Sequence, residues 1–253
     1  MLARTAKRSI TTLACIAAVA ASSAAGAAGV SIRTLGAQQL HVATIGYRLA
    51  VANGRACARP EMMSGLVTHD LMQYAPAIRP AITQAFSLTD GFGVLGIVPG
   101  SAADRAGLQV DDEILAVGNA NVENAAAVQG RVQSSAREDQ FSVTLSQALA
   151  NGPTALLVRR QGQLIHLTIA GQAGCGGTAL LANSSDLNAW SDGRHVVITS
   201  ALMAQAASDD ELAFVIAHEM AHNILGHSTD DNAQGLLSLL GIGSGRVRRM
   251  EID

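Results

Sequence analysis

The sequence predicts an α+β protein, and three observations support this class. An amphipathic helical stripe lies near the N-terminus, short β-rich runs punctuated by glycine fill the middle of the chain, and an apolar run with helical spacing follows near the C-terminus. Hydrophobic residues make up 49% of the chain, which is enough to build a substantial core. We expect four segments in chain order, at residues 1–27, 28–84, 85–172 and 176–253.

The charge balance excludes some classes of partner. Seventeen Lys and Arg residues face 20 Asp and Glu residues, which gives a formal net charge of -3. The chain therefore has neither the basic field that nucleic-acid binding needs nor a polybasic patch for a membrane surface. Aromatic residues make up only 3%, which also weakens any stacking platform for bases or sugars.

The N-terminus resembles an export signal. A basic start is followed by an Ala-rich apolar stretch and by small residues suited to a signal peptidase. We expect residues 1–27 to be a signal peptide cleaved near Ala27, and the mature protein to be periplasmic or secreted. The alternative is an uncleaved segment that anchors the protein to the membrane, although its Ser, Thr and Gly content makes it weakly hydrophobic for a permanent span.

Removal of the signal leaves two cysteines, Cys57 and Cys175, which form a candidate disulfide in an oxidising compartment. The bridge would close a loop on the order of 100 residues and contribute about 4 kcal/mol in the chain-entropy model. The alternative is a pair of unpaired buried thiols. If bridged, the two residues would make the β-rich module between them an insertion.

Residues 28–84 contain helical patterns. Apolar residues recur at spacings of three, four and seven in the stretch 35–53, as expected for a helix that packs along one face. A second helical region is expected through "HDLMQYA" and "RPAITQAF", broken by Pro76 and Pro80.

The segment from Gly91 to Val122 contains a strand, then "PGSAADRAGL" as a short helix with a Gly exit, then "VDDEILAVGN" as the next strand. Residues 154–171 read as a hairpin with its turn at Gln161 and Gly162. This pattern resembles a PDZ domain of the bacterial protease type, with Asp111 where that family usually has Gly. The resemblance implies capture of peptide C-termini at a sheet edge. The alternative is a spacer that only positions its neighbours.

The segment "ELAFVIAHEMAHNILGH", residues 211–227, predicts a helix that carries two histidines one turn apart. Ser208 is the expected N-cap, acidic residues follow in the first turn, and the helix should end near Gly226. His218 and His222 can point at one metal ion, while Glu219 lies about 100 degrees further round the helix. The alternative is an ordinary helix with two surface histidines.

This H-E-x-x-H spacing is typical of zinc peptidases. A bound Zn²⁺ acidifies a water molecule and polarises a scissile carbonyl, and Glu219 is placed to accept the proton of that water. His227 lies nine residues after His218, whereas the metzincin pattern requires ten. We therefore reject His227 as a third ligand and expect it to point away from the metal.

Residues 187–227 resemble the exported and membrane zinc peptidases of the HtpX and CAAX-protease family, which are gluzincins. The resemblance rests on an N-A-aromatic turn, a β-hairpin and the histidine helix. It implies one zinc ion per chain, held by His218, His222 and a glutamate that opens an E-x-x-A-D motif. Glu251 stands at that position, but the sequence ends at Asp253. We favour a fragment of a longer product over a truncated protein that binds metal poorly.

Within this resemblance, the strand "RHVVIT" corresponds to a sheet edge that holds substrate beside the zinc. The expected substrate-edge residues are His195, Val196, Val197 and Ile198, with His195 on the surface rather than on the metal. Asn188 and Ala189 are assigned to the structural turn of the family, and Trp190 to packing.

The sequence therefore predicts a zinc metalloendopeptidase that hydrolyses exported or misfolded polypeptides, with a PDZ-like domain that presents substrate or regulates access to the site. The rival hypothesis is a non-catalytic peptide-binding or chaperone-like periplasmic protein. Retention of Glu219 favours catalysis, because this residue is not a zinc ligand in the H-E-x-x-H geometry. Association with a membrane is left open.

Overall fold

The computed structural model describes residues 10–58, 60–124 and 133–227. Within them the α-helices are α1 (Ile10–Asn53), α2 (Arg79–Phe86), α3 (Ala102–Arg105), α4 (Ala136–Ala150), α5 (Ser200–Gln205) and α6 (Asp209–Leu225). The strands are β1 (Glu61–Met63), β2 (Leu66–His69), β3 (Phe92–Ile97), β4 (Glu113–Val117), β5 (Ala120–Asn121), β6 (Thr154–Arg160), β7 (Gln163–Ile169), β8 (Gln172–Gly174), β9 (Thr178–Ala182), β10 (Ala189–Ser191) and β11 (His195–Thr199). Short 3₁₀ helices cover Gly54–Ala56 and Leu71–Gln73. The predicted α+β class is confirmed.

Helix α1 contains the amphipathic stripe predicted at residues 35–53. Val42 and Ala50 are fully buried against the C-terminal part of the fold, whereas Ala43 and Tyr47 pack against Val67 of β2. The helix therefore contacts both halves of the molecule. None of the helices in the described part of the chain combines the length and apolar character needed to span a bilayer.

The predicted pairing of the cysteines is present. Cys57 and Cys175 are disulfide-bonded, with their Cα atoms 5.6 Å apart. Strands β1 and β8 pair antiparallel close to the bridge, with Glu61 opposite Gly174. The two chain segments that flank the β-rich module are therefore joined to each other, as the insertion hypothesis requires.

A six-stranded sheet, in the order β2-β3-β4-β6-β7 with β5 beside β4, forms the β-rich module within the described residues. The predicted hairpin is β6–β7, and its turn places Gln161 at φ 50° and Gly162 at φ 80°, as in a type I′ turn. Helix α4 covers one face of the sheet through Phe141, Leu145 and Leu149. These contacts bury the apolar face of the sheet in a single core.

The sheet also includes β2, which lies before the expected domain boundary at residue 85. A helical region was expected from His69 onward, but His69 is the last residue of β2, and only the short helix Leu71–Gln73 and α2 follow it. Asp70 explains why the helix begins only at Leu71. Its side chain accepts hydrogen bonds from the Met72 and Gln73 amides and caps the new helical turn. The first strand of the module is therefore Leu66–His69.

The contacts of Asp111 account for an aspartate at a position where the PDZ pattern usually has glycine. Its φ is 71°, in the left-handed region that favours glycine, although Asp tolerates it better than most residues. Both Asp111 carboxylate oxygens accept hydrogen bonds of 3.0 Å from the Arg33 guanidinium on α1. Asp111 therefore lacks the conformational freedom that glycine would have at this position, but it makes a bidentate contact to the N-terminal helix that glycine could not make.

A smaller sheet and α6 form the C-terminal part of the fold. Its strand order is β10-β11-β9, with β11 antiparallel to β10 and parallel to β9. One face packs against Leu212, Val215 and Ile216 of α6. Helix α1 approaches β9 so closely that a Cβ on Gly46 would lie 2.4 Å from the Ala179 Cβ. This sheet therefore fixes the histidine helix against α1.

Candidate active site

Helix α6 begins and ends as its sequence predicts. The Ser208 side chain accepts a hydrogen bond from the Glu211 amide, and acidic residues occupy the first turn. Gly226 closes the helix at φ 68°, a left-handed conformation that suits glycine. The two caps define one continuous helix that contains both histidines.

The two predicted metal ligands converge. The Nε2 atoms of His218 and His222 lie 3.1 Å apart, and the ring planes are inclined by 72°. Burial, His218 and His227 each lower the pKa of His222. His222 Nδ1 is buried and has no hydrogen-bond partner among the described residues. The short distance between the two Nε2 atoms shows that both rings direct a nitrogen at one point beside the helix.

Glu219 is buried at the next position along the helix, with 2% of its surface exposed. Ser191 Oγ on β10 donates a hydrogen bond of 3.3 Å to Glu219 Oε2. Burial raises the pKa of the Glu219 carboxyl, and the Ser191 hydrogen bond opposes that shift. Ser191 was not among the predicted site residues, and its only signal in the sequence is its position two residues after Ala189 on β10.

Asn223 was also missed, although it directly follows His222. Its Nδ2 donates to the carbonyl oxygens of Gly176 and His195, at 3.0 and 3.1 Å. Its Oδ1 accepts from the Gly193 amide at 2.7 Å. One side chain therefore ties α6 to the β10–β11 turn and to the segment that follows the disulfide.

The predicted role of β11 as a substrate edge is wrong. His195, Val196, Val197 and Ile198 lie in the central strand of the sheet, which pairs with β10 on one side and β9 on the other. A strand whose two sides are both paired cannot add a peptide. Among the strands that the structure describes, the edges of this sheet are β10 and β9. Residues 178–182 form β9, a parallel partner of β11 that the local sequence pattern does not indicate.

Other predicted positions are placed as follows. His195 Nδ1 lies 3.0 Å from Asp192 Oδ2, away from the histidine pair of α6. Asn188 bonds Thr199 through its backbone, which fits the structural role assigned to it. His227 lies closer than expected, with its ring 5.5 Å from that of His222, because the Gly226 turn folds the chain back.

The third ligand predicted from the family resemblance, Glu251, lies outside the described residues. Within the part of the chain that the structure describes, no group of three or more His, Cys, Asp or Glu side chains is arranged to hold a metal ion. The described part of the site therefore consists of two histidines, a buried acid and the residues that hold them.

A large cleft reaches this region from the β-rich module. Its volume is about 1570 Å³, and it is lined by β2, one side of α4, β9 and the β10–β11 hairpin. Ser191 and His227 belong to its wall. The cleft therefore connects the edge of the larger sheet with the surroundings of the histidine helix.

Comparison with known proteins gives two family matches. Residues 163–248 match the model of peptidase family M48, and residues 93–147 match that of the PDZ domain. No curated protein gives a significant match. The predicted resemblance to a peptidase family with an attached PDZ domain is confirmed, because one segment of the chain is similar to peptidase family M48 and another is similar to the PDZ domain. The two matches support a protease with a peptide-binding domain.

Two solved structures are similar to the chain at low identity. One is the HtrA3 PDZ domain bound to a phage-derived ligand, with 21% identity and a TM-score of 0.32, covering 46% of this chain and 89% of that chain. The other is the HtrA-type protease AlgW with a decapeptide, with 18% identity and a TM-score of 0.31, covering 45% of this chain and 30% of that chain.

Proposed function

We propose that the protein is a zinc-dependent endopeptidase that hydrolyses exported or misfolded polypeptides, with the PDZ domain presenting substrate or regulating access. One observation carries the proposal. The Nε2 atoms of His218 and His222 converge to 3.1 Å while the neighbouring Glu219 is held in a buried position by Ser191.

The histidine pair fits a shared zinc ion. At zinc–nitrogen distances of about 2.0–2.1 Å, two nitrogens of a tetrahedral site lie roughly 3.3 Å apart. The observed Nε2 separation is close to this value. His218 and His222 would supply two ligands and Glu251 a third. A fourth position would remain for water, as catalytic zinc sites require.

When bound, the ion would lower the pKa of a water molecule and polarise the scissile carbonyl. The proton transfers of the reaction are assigned to side chains of the protein. Glu219 accepts a proton as the water oxygen adds to the carbonyl carbon, and then returns that proton to the leaving nitrogen. The C–N bond breaks, giving a new carboxylate and a new amine. Ser191 holds Oε2 of Glu219 throughout.

Alignment of the substrate is assigned to an edge strand of the smaller sheet. Among the described strands β10 is such an edge, and its Ser191 side chain contacts the proposed base. A substrate paired along β10 through backbone hydrogen bonds would lie beside Glu219, with little dependence on side-chain identity. This arrangement suits an endopeptidase that acts on unfolded chains.

We also propose export, on the basis of the basic and Ala-rich N-terminus and of the Cys57–Cys175 disulfide, which is typical of oxidising compartments. Periplasmic or secreted unfolded polypeptides would then be the substrates. Retention of the N-terminal segment as a membrane anchor is the alternative, and N-terminal sequencing of the exported protein distinguishes the two.

The proposal is tested with the complete reading frame, zinc-loaded, against an unfolded protein substrate. We expect hydrolysis that chelation abolishes and that zinc restores, and a loss of at least about a hundredfold in Glu219→Gln. Asp210→Asn, at an exposed position in the first turn of the same helix, is the matched control and should retain activity. If Glu219→Gln cleaves as fast as the parent, the protein is not this enzyme, and the non-catalytic peptide-binding hypothesis takes its place.

A further inference from the structure

Part of the cleft is a groove between β2 and α4. Phe141, Leu145 and Leu149 of α4 belong to its wall, yet only 3%, 5% and 1% of their surfaces are exposed. A groove that is open to a ligand presents its apolar wall to that ligand. The burial of these three side chains therefore shows that the groove is closed in this structure.

One hydrogen bond joins the two walls of the groove. The Thr68 hydroxyl on β2 donates a short hydrogen bond to Glu138 Oε1 on α4. Leu66 lies on the same side of β2 as Thr68 and packs against the apolar cluster that contains Leu145. Strand and helix are therefore held together by one polar contact and by the apolar contact beside it.

The other end of the groove is covered by Met62 of β1. Met62 packs against the same apolar cluster and is fixed opposite Ala173 by the pairing of β1 with β8. A Cβ on Gly171 would meet the Cβ atoms of both Met62 and Leu149, at 3.0 and 3.1 Å. Met62 therefore lies at the Leu149 end of the groove, and the Thr68–Glu138 contact closes the opposite end.

Glu138 would be poorly compensated as an anion. Its Oε2 is buried and has no hydrogen-bond partner among the described residues. The adjacent Arg137 forms an ion pair of 3.6 Å with the buried Asp70 and donates to the carbonyl oxygens of Asp90 and Val122. An ionised Glu138 would therefore add a negative charge beside a pair that is already balanced.

We propose that the Thr68–Glu138 contact is an autoinhibitory latch, which closes the groove between β2 and α4 while Glu138 is neutral and releases it when Glu138 ionises. The inference goes beyond the proposed function, because it concerns access to the groove and does not depend on hydrolysis.

The direction of the pH dependence follows from the surroundings of Glu138. Burial raises the pKa of its carboxyl from 4.5 to about 7, with Asp70 and Asp139 adding to the shift and Thr68 and Arg137 opposing it. Opening returns the carboxyl to water, so the closed form binds the proton more tightly than the open form. The closed form is therefore favoured most in acid, and it loses this advantage as the pH rises to about 7.

The titratable and charged groups near Glu138 come from several elements. They are Arg137 and Asp139 of α4, His69 of β2, Asp70 and Tyr74 after β2, and Arg194 of the β10–β11 turn, which lies 3.4 Å from Ser142 one turn further along α4. Burial lowers the pKa of His69 to about 3 and raises the pKa of Tyr74, so both are neutral between pH 5.5 and 8.5. Neither can account for a change in this range.

The test measures access to the groove by the reaction of a cysteine with a neutral maleimide, in the complete protein with its disulfide intact. Leu145→Cys places the thiol in the closed wall, and peptide mapping assigns the label to that position. Each rate is divided by the rate of the unfolded protein at the same pH, which removes the ionisation of the thiol. Between pH 5.5 and 8.5 we expect the normalised rate to rise about tenfold or more.

Glu138→Gln is the main comparison, because its amide keeps the acceptor for Thr68 and cannot ionise. Its normalised rate should stay low and change by less than about twofold over the same range. Asp139→Asn is the matched control, which removes a charge from the adjacent residue and should keep the rise. Thr68→Val removes the donor and should react about fivefold faster than the parent at pH 5.5.

The inference is overturned if the parent shows no rise, if Glu138→Gln shows the same rise, or if Thr68→Val reacts no faster than the parent at pH 5.5. Circular dichroism checks that each variant is folded, and Leu66→Cys on the opposite wall replaces Leu145→Cys if the latter does not fold. The reaction requires no hydrolysis. A negative result would therefore contradict the latch alone, and absence of peptidase activity would contradict the proposed function alone.

Discussion

At the scale of single residues, the site depends on side chains that hold the predicted ones in place. His218, Glu219 and His222 follow from helical spacing, which fixes their relative angles without reference to the rest of the fold. Ser191 and Asn223 could not be predicted in the same way. Their partners lie 28 and 47 residues away in sequence, at Glu219 and Gly176, and no local period connects such positions.

Asn223 gives a prediction at this scale. Asn223→Ala should lower the free energy of unfolding by about 2 kcal/mol, because it leaves the Gly176 and His195 carbonyls and the Gly193 amide without their partner. The loss should be visible as a lower midpoint in urea, with fluorescence of Trp190 as the probe.

The nearly isosteric change Asn223→Asp removes the two hydrogen bonds that Nδ2 donates but keeps the shape of the side chain. It keeps the acceptor for Gly193 but sets carboxylate oxygens against two carbonyl oxygens, so it should destabilise at least as much as Asn223→Ala. Stability equal to that of the parent protein would show that the two donated hydrogen bonds contribute nothing.

At the scale of elements, the sequence predicted the amphipathic helix α1, the β6–β7 hairpin and the histidine helix α6, but not α4, β9 or the order of the strands. The caps of α6 and the β6–β7 turn depend on residues a few positions apart, and the structure confirms them. The error on β11 arose because its position in the sheet depends on β9, which pairs with it in parallel. An alternating apolar pattern shows that a strand is half-buried, and it does not show whether that strand is central or at an edge.

The packing of α1 on β9 gives a prediction at the scale of elements. Gly46→Ala should lower the free energy of unfolding by about 1–3 kcal/mol, because the added Cβ would lie 2.4 Å from the Ala179 Cβ. The double variant Gly46→Ala, Ala179→Gly returns the missing space and should recover most of the loss in a double-mutant cycle.

Gly36→Ala is the matched control on the same helix. Its Cβ would meet Leu95 at an ordinary contact of 3.4 Å, so only the gain in helix propensity should remain, at under about 1 kcal/mol. If Gly46→Ala is as stable as Gly36→Ala, the close approach of α1 to β9 does not restrict this position.

At the scale of the whole molecule, three features join the PDZ domain to the histidine helix. They are α1, which packs against both sheets, the Cys57–Cys175 disulfide with the adjoining β1–β8 pair, and the cleft that both halves line. Cys175 is followed by Gly176, whose carbonyl accepts a hydrogen bond from Asn223. The covalent link between the halves therefore reaches the histidine helix α6 through a single residue, Gly176.

Removal of this bridge gives a prediction at the molecular scale. The bonded residues are 118 positions apart, so replacement of Cys57 and Cys175 by Ser should cost about 5 kcal/mol of unfolding free energy in the chain-entropy model. A reductant should destabilise the parent by a similar amount in urea titrations. The double variant serves as the control and should not respond to reductant. An unchanged parent under reducing conditions would contradict the bridge.

The sequence by itself determined the α+β class, the capped helix with two histidines one turn apart and the hairpin turn, and it made Cys57 and Cys175 a candidate pair that the structure shows bonded. Only the tertiary structure decided that β11 is central, that Ser191 and Asn223 contact the histidine helix and its neighbours, and that β2, α4 and the β10–β11 hairpin line one cleft. The physical reason is that backbone geometry fixes relations within an element. Relations between elements depend instead on packing and hydrogen bonds between residues far apart in the chain.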